Sequence, residues 1–109
     1  MPEHLLKKNE LAPIALFCFN RVTHLKRCVS SLKSSPYSKF SELIIFSDAA
    51  KDDDQKESVE KVRKFIRTIK GFKKISIIER KKNFGLAKSI IEGVKQVLKS
   101  HSTIIVVED

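Results

Sequence analysis

The sequence predicts an α/β protein of three layers, with helices covering both faces of a parallel sheet of about four strands. Three observations carry that expectation. Four short runs rich in β-branched and aromatic residues, at positions 14–19, 43–46, 75–78 and 104–107, have the length of buried strands. Between each run and the next, apolar residues recur every three or four positions, the period of an amphipathic helix. The connections are short, so each strand–helix–strand unit closes as a right-handed crossover between parallel strands.

Taken in order, residues 1–12 are polar and mixed and form an N-terminal arm, a short helix carrying Leu5, Leu6 and Leu11 being one form it takes. Pro13 opens the first strand, which runs to Phe19 and ends abruptly at Asn20 and Arg21. Val22, Leu25, Cys28, Val29 and Leu32 mark the first helix, with Thr23 as its N-cap and 34–36, Ser-Ser-Pro, as its stop. The second strand ends at Ser47 and Asp48. The acidic loop 49–54 suits the positive end of the next helix. Val59, Val62, Phe65, Ile66 and Ile69 are that helix's apolar face, and Gly71 its C-terminal stop. The third strand ends at Glu79 and Arg80. A turn through Asn83 leads to a third helix with Leu86, Ile90, Ile91, Val94, Val97 and Leu98 on its apolar face. Gly85 and Gly93 lie beside or inside it, where helix propensity disfavours them, so close approach of backbone or ligand is expected. The fourth strand, buried on both faces, closes on Glu108 and Asp109.

Composition narrows the function. The chain has 109 residues, 41% hydrophobic and 32% charged, with a formal net charge of +9. Such a charge favours anionic partners: nucleotides, phosphorylated lipids, a membrane surface or nucleic acid. A lysine-rich solvated surface is the plain alternative. Cys18 and Cys28 sit at apolar positions and read as buried free thiols, not as a disulfide framework or metal site. His4, His24 and His101 are scattered and are expected at the surface. Neither a signal peptide nor a membrane-spanning run is apparent, which makes the reduced cytoplasm, or the inner face of its membrane, the expected location. A chain that finishes on its last strand is expected to be a fragment, a naturally short protein being the alternative, and an uncovered edge there invites self-association.

In open α/β sheets, ligands bind beyond the carboxyl ends of the strands. Those ends carry Asn20-Arg21, Ser47-Asp48, Glu79-Arg80 and Glu108-Asp109, four polar tips delivered to one rim. The bland alternative for the acids is helix capping and surface pairing. No glycine follows the first strand, which argues against a dinucleotide fingerprint, and no phosphate-binding P-loop occurs. A phospho-acceptor receiver would need an aspartate where Glu79 stands. What remains is acids at strand tips with bases between them. Asp48, ending a strand outside the core, suits a ribose or base. Glu108 and Asp109 suit a ribose and a hard divalent cation, Mg²⁺ or Mn²⁺. Arg21, Arg80, Lys82 and Lys88 suit a diphosphate.

Four segments in order, 13–21, 44–48, 83–87 (Asn-Phe-Gly-Leu-Ala) and 104–109, resemble the nucleotide-sugar-binding half of GT-A glycosyltransferases, above all family 2 and the N-acetylglucosaminyltransferase I-like enzymes. The resemblance covers nearly the whole chain from Pro13, making 13–109 that half and giving the sheet a Rossmann-like, GT-A type. It implies transfer of a sugar from a nucleotide-diphosphate sugar to an acceptor hydroxyl on a sugar or glycolipid, with Mn²⁺ or Mg²⁺ as cofactor. It also implies nucleotide-sugar binding by Asn20, Arg21, Asp48, Asn83, Gly85, Lys88 and Glu108, and a metal at Asp109. Glu108 and Asp109 match the first two positions of a Glu-Asp-Asp motif whose third acid would follow Asp109. Ile91 stands where many family 2 members have Asn. The acceptor pocket and general base belong to the family's C-terminal half, so the 109 residues alone are expected to be inactive.

Two other readings are a non-catalytic nucleotide-binding module and a basic module docking on anionic membrane or nucleic acid. One tyrosine and no tryptophan leave little to stack on bases, which disfavours nucleic acid.

Overall fold

The computed structural model describes residues 11–109, so all but the last two positions of the expected arm, with Leu5, Leu6 and His4, lie outside the described residues. The elements alternate as expected: β1 (Ile14–Cys18), α1 (Val22–Lys33), β2 (Glu42–Ser47), α2 (Lys56–Ile66), β3 (Lys74–Glu79), α3 (Leu86–Leu98) and β4 (Ile105–Glu108). All three strand pairings are parallel, and the spatial order is β3-β2-β1-β4.

That order decides where a ligand can sit. The chain steps from β1 to β2 to β3 in one direction, then returns past β1 to place β4 on its other side. Right-handed crossovers taken in opposite directions put their helices on opposite faces. Thus α1 and α2 cover one face and α3 the other. The reversal leaves a crevice at the carboxyl ends of β1 and β4.

Each strand alternates its side chains between two cores. Leu16 of β1 and Leu43 and Ile45 of β2 meet Leu25 and Val29 of α1 and Val62 and Ile66 of α2. Ala15, Phe17, Ile44 and Phe46 meet Val97 of α3. Phe17 and Phe46 stack with centroids 4.9 Å apart and rings 9° from parallel. Gly93 of α3 rides over this pair: a Cβ there would lie 2.6 Å from Phe17 Cε1 and 3.3 Å from Phe46 Cε2. The glycine inside the helix is therefore explained by close approach to the sheet.

Several expectations are corrected. β4 is not buried on both faces: among the described residues it is an edge strand with one neighbour, and Ile105 and Val106 are 49% and 44% exposed. Leu86, Ile91 and Leu98 are exposed rather than part of the buried face of α3. The helix presents Ser89, Gly93 and Val97 to the sheet, leaving Ile91 and Leu98 on its flank and Leu86 at the rim. Arg21, not Thr23, occupies the N-cap of α1, and no side chain caps it. α2 ends at Ile66, before Ile69, so Gly71 (φ +97°) turns the loop to β3 instead of ending the helix. The acidic loop does start a helix. Asp52 accepts the N–H of Asp54 at 3.1 Å, opening a 3₁₀ turn that runs into α2.

Candidate functional site

The rim is built around a buried carboxylate. Asp48 follows β2 directly, and its N–H bonds to the carbonyl of Cys18 at 3.0 Å, so it is locked to the end of β1. Its side chain is 5% exposed. Oδ1 accepts the main-chain N–H groups of Ala49 and Phe84, each at 2.9 Å, and Oδ2 accepts that of Gly85 at 3.0 Å. Asn83 completes the clasp by donating Nδ2 to the Ala49 carbonyl at 2.7 Å, with a longer contact to Asp48 Oδ2 at 3.4 Å. The Asn83–Gly85 turn is thereby fixed to β2 at the N-terminus of α3. There the helix's unpaired N–H groups favour negative charge. Gly85 is the N-cap with φ +79°, a conformation that side-chain-bearing residues rarely adopt. Asp48 is thus buried, contrary to the expectation of a residue outside the core. Its lone pairs serve the turn.

Two arginines brace this assembly. Arg80 lies between rings, its guanidinium 4.2 Å from the Phe84 centroid and 5.2 Å from that of Phe46. It donates to the hydroxyl and carbonyl oxygens of Ser89, both at 3.3 Å. Burial pushes its pKa below the ordinary arginine value, an effect that the nearby Asp48 charge opposes. Arg63 reaches up from α2 and donates to Ser47 Oγ at 3.1 Å and to the carbonyls of Ser47, Asp48 and Arg80 at 3.3, 3.3 and 2.8 Å. One side chain so ties the tips of β2 and β3 together. Glu79 points away from the rim to Arg67, in a two-pronged pair at 2.8 and 2.9 Å that holds its carboxyl below the ordinary glutamate range.

Beside this assembly lies a cavity of about 240 Å³ at the carboxyl ends of the strands, lined among others by Phe17, Cys18, Asp48, Asn83, Gly85 and Asp109. Asp109 is anchored by its N–H to the Phe17 carbonyl at 3.3 Å, and Arg21 donates to its main-chain oxygen. Its side-chain Oδ2 is buried with no hydrogen-bond partner among the described residues. Burial raises the Asp109 pKa above the ordinary carboxylate value, against the opposing charge of Arg21.

Of the residues expected in the site, Asp48, Asn83, Gly85 and Asp109 share this cavity. Four others lie elsewhere on the rim. Asn20 is half-buried in the bend after β1, and Arg21 holds Asp109. Lys88 sits with its ammonium 4.8 Å from the Phe84 ring centroid. Glu108 is exposed at the end of β4, in register with Phe17. Arg80, expected at a diphosphate, is held under α3 instead. His101 is half-buried at the opposite end of the sheet, 3.0 Å from Glu42, where a surface position was expected. Lys51 and Ser89 line the cavity without having been singled out. Lys51 had a legible signal, since it lies three residues beyond the tip of β2. Arg63 had one too, four residues after Val59 and three before Ile66, on the inward side of α2.

The acids present fit a divalent cation only in part. Among the described residues no three His, Cys, Asp or Glu side chains converge. The Asp48 oxygens already have N–H partners. Asp109 offers one unpartnered buried oxygen, which fits a cation held by a single carboxylate together with ligand phosphates.

A family model described as glycosyl transferase family 2 matches residues 14–109. No curated protein matches the chain, and no solved structure does. The matched span runs from the first residue of β1 to the last residue of the chain, taking in the Asp48 clasp, the Asn83–Gly85 turn and Asp109, and by that match the chain belongs to glycosyl transferase family 2.

Proposed function

We propose that the chain is the donor-binding region of its glycosyltransferase, seating a nucleotide-diphosphate sugar at the β1–β4 crevice. The observation that carries this reading is Asp109, which lines the cavity at the strands' carboxyl ends and whose Oδ2 is buried with no hydrogen-bond partner among the described residues. An ionised oxygen withdrawn from water costs several kcal/mol unless a cation or donor meets it. A cation that also binds phosphate meets that need.

The cavity, about 240 Å³, is smaller than the ~300–1,000 Å³ of pockets that enclose a whole drug-sized ligand. It takes part of the donor, and the diphosphate extends over the open rim toward Arg21 and Lys88. Asp48 acts through the turn that it holds, placing Asn83 and Gly85 against the ligand. Mn²⁺ or Mg²⁺ at Asp109 would supply positive charge to the departing diphosphate. Neither carboxylate that lines the cavity is available as the base that deprotonates an acceptor hydroxyl: Asp48 is held by its N–H partners, and Asp109 serves the cation. The 109 residues therefore bind donor without turning it over.

Isothermal titration of the chain with UDP and GDP, with and without Mn²⁺, tests the reading. Metal-enhanced binding of one nucleotide is expected. No binding of either with metal present would overturn it, and sugar transfer by the 109-residue chain would overturn the claim of inactivity.

A further inference from the structure

A second charged surface lies away from the rim, on the outer side of α1 and α2. α1 carries Lys26, Arg27 and Lys33 and no carboxylate. The two glutamates of α2 are engaged on that helix's own flank: Glu57 lies 3.7 Å from Lys61, and Glu60 lies 3.5 Å from Arg67. Between the helices runs a shallow groove lined by Val22, Lys26, Lys61, Lys64, Phe65 and Thr68. Among the described residues, no carboxylate lies within ion-pair distance of Lys26, Arg27 or Lys64. The stem of Lys26 is steadied over Phe65, its ammonium 5.7 Å from the ring centroid.

Like charges gathered on two adjacent helices repel one another, and an external anion relieves that repulsion. The form of the surface limits which anion fits. It is broad and shallow, and its unpaired charges are mostly lysines, point charges that do not demand the fixed geometry of a bidentate site. Among the described residues the exposed large apolar side chains are Tyr37, Leu86, Ile91, Leu98, Ile105 and Val106, none of which lines this groove; its one aromatic, Phe65, is half-buried beneath Lys26 and offers no open face to a base. A plane of phosphates meets these conditions better than a single small anion or an unstacked strand. We propose that the α1–α2 face docks on a bilayer surface bearing anionic phospholipid headgroups. The attraction is electrostatic and falls away within a Debye length. No helix among the described residues is long and apolar enough to cross a membrane, so contact by this face is peripheral.

Vesicle co-sedimentation tests the proposal, using phosphatidylcholine alone and phosphatidylcholine doped with phosphatidylserine. The chain is expected to bind only the doped vesicles and to come off as salt is raised. Each lysine near such a surface contributes roughly fivefold, so Lys26→Gln with Lys64→Gln should lower partitioning about thirtyfold. Lys26→Arg with Lys64→Arg should retain it. Lys95→Gln on α3 with Lys99→Gln at its C-cap removes the same charge away from the α1–α2 face and should change it little. Thermal melts establish that every variant is folded. Three outcomes overturn the proposal: equal binding to neutral vesicles, an equal loss from the α3 variant, or tighter binding to a mixed-sequence DNA duplex with the same Lys26 and Lys64 dependence.

Discussion

The carboxylate of Asp48 accepts the main-chain N–H of Gly85 at 3.0 Å, joining the tip of β2 to the start of α3 across 37 residues of sequence. Phe84 N–H meets the other oxygen of the same carboxylate. Asp48→Ala strands these two donors and the N–H of Ala49, all of them wholly or partly buried. Charge-assisted bonds of this kind contribute ~1.5–3 kcal/mol each, less than additively, so a loss of about 3 kcal/mol is expected in urea unfolding. Asp48→Asn should fail as well, because its amide NH₂ must face an N–H donor. A change within about 0.5 kcal/mol, the ordinary range for a surface substitution, would show that the turn holds itself.

Arg63 gives a second handle on the same assembly from the opposite face. Its guanidinium serves three carbonyls and one hydroxyl, which no other side chain can reach with one planar group. Arg63→Met keeps the packing of the stem and removes every donor; about 2–3 kcal/mol of stability should go with them. Arg63→Lys should recover less than half, since an ammonium cannot span both strand tips. Full stability in Arg63→Met, read from the urea midpoint at unchanged slope, would mean that water replaces the bonds without cost.

Gly93 tests the α3 face. Replacing glycine by alanine in a helix interior normally stabilises by about 1 kcal/mol. Here the added methyl meets Phe17 at 2.6 Å, and Phe17 is pinned by its stack on Phe46. Overpacking costs ~1–3 kcal/mol, so Gly93→Ala should be net destabilising. Phe17→Leu should rescue it: in a double-mutant cycle the cost of Gly93→Ala shrinks when Phe17→Leu is already present. Additive effects would show that the ring moves aside freely.

These residues mark what the sequence discloses. Apolar period and length are local properties, so the helix and strand alternation, and with it the layered architecture, is legible. Parallel pairing is legible too, because short crossovers permit little else. Strand order is not local. Nothing within 104–107 distinguishes an edge strand from a central one, and the exposure of Ile105 and Val106 follows from β4's place at the edge of the sheet among the described residues. The polar strand tips are visible in sequence, but the partners of a side chain are not. Asp48 and Arg80 read as ligand groups, and their bonds to the Phe84–Gly85 turn and to Ser89 could not be read from the sequence. Glu79 reads as a rim acid and faces Arg67, because its place in the β alternation turns it toward α2.

Cys18 makes the burial of β1 measurable by titration. Burial pushes its thiol up to about 12, with the Asp109 charge adding to the rise. The unfolded chain ionises this thiol near its ordinary value of 9.0, and the folded chain does not until much higher pH. Between those values the unfolded state has lost a proton that the folded state keeps, so stability falls as pH rises. The slope from this one group approaches ~1.4 kcal/mol per pH unit. Cys18→Ala should remove that part of the alkaline decline, seen as the difference between the two proteins' urea midpoints from about pH 8 to about pH 11. Parallel declines would place the thiol in contact with water.

Asp109 separates a ligand-directed role from a structural one. Among the described residues its Oδ2 has no hydrogen-bond partner, and burial outweighs the attraction of Arg21, so its charge is a net cost to the fold. Asp109→Asn should therefore leave the urea midpoint unchanged or raise it. Asp48→Ala should do the opposite, lowering the midpoint whether or not nucleotide is present. If a cation sits at Asp109, the Asn variant loses the Mn²⁺ enhancement of nucleotide binding while keeping the metal-free component. Manganese electron paramagnetic resonance in the presence of UDP reads this directly, since ion taken up with the nucleotide disappears from the free-ion signal. The wild-type chain should deplete that signal and Asp109→Asn should not; equal depletion by both would move the cation to another residue and leave Asp109 as a buried acid with no ligand.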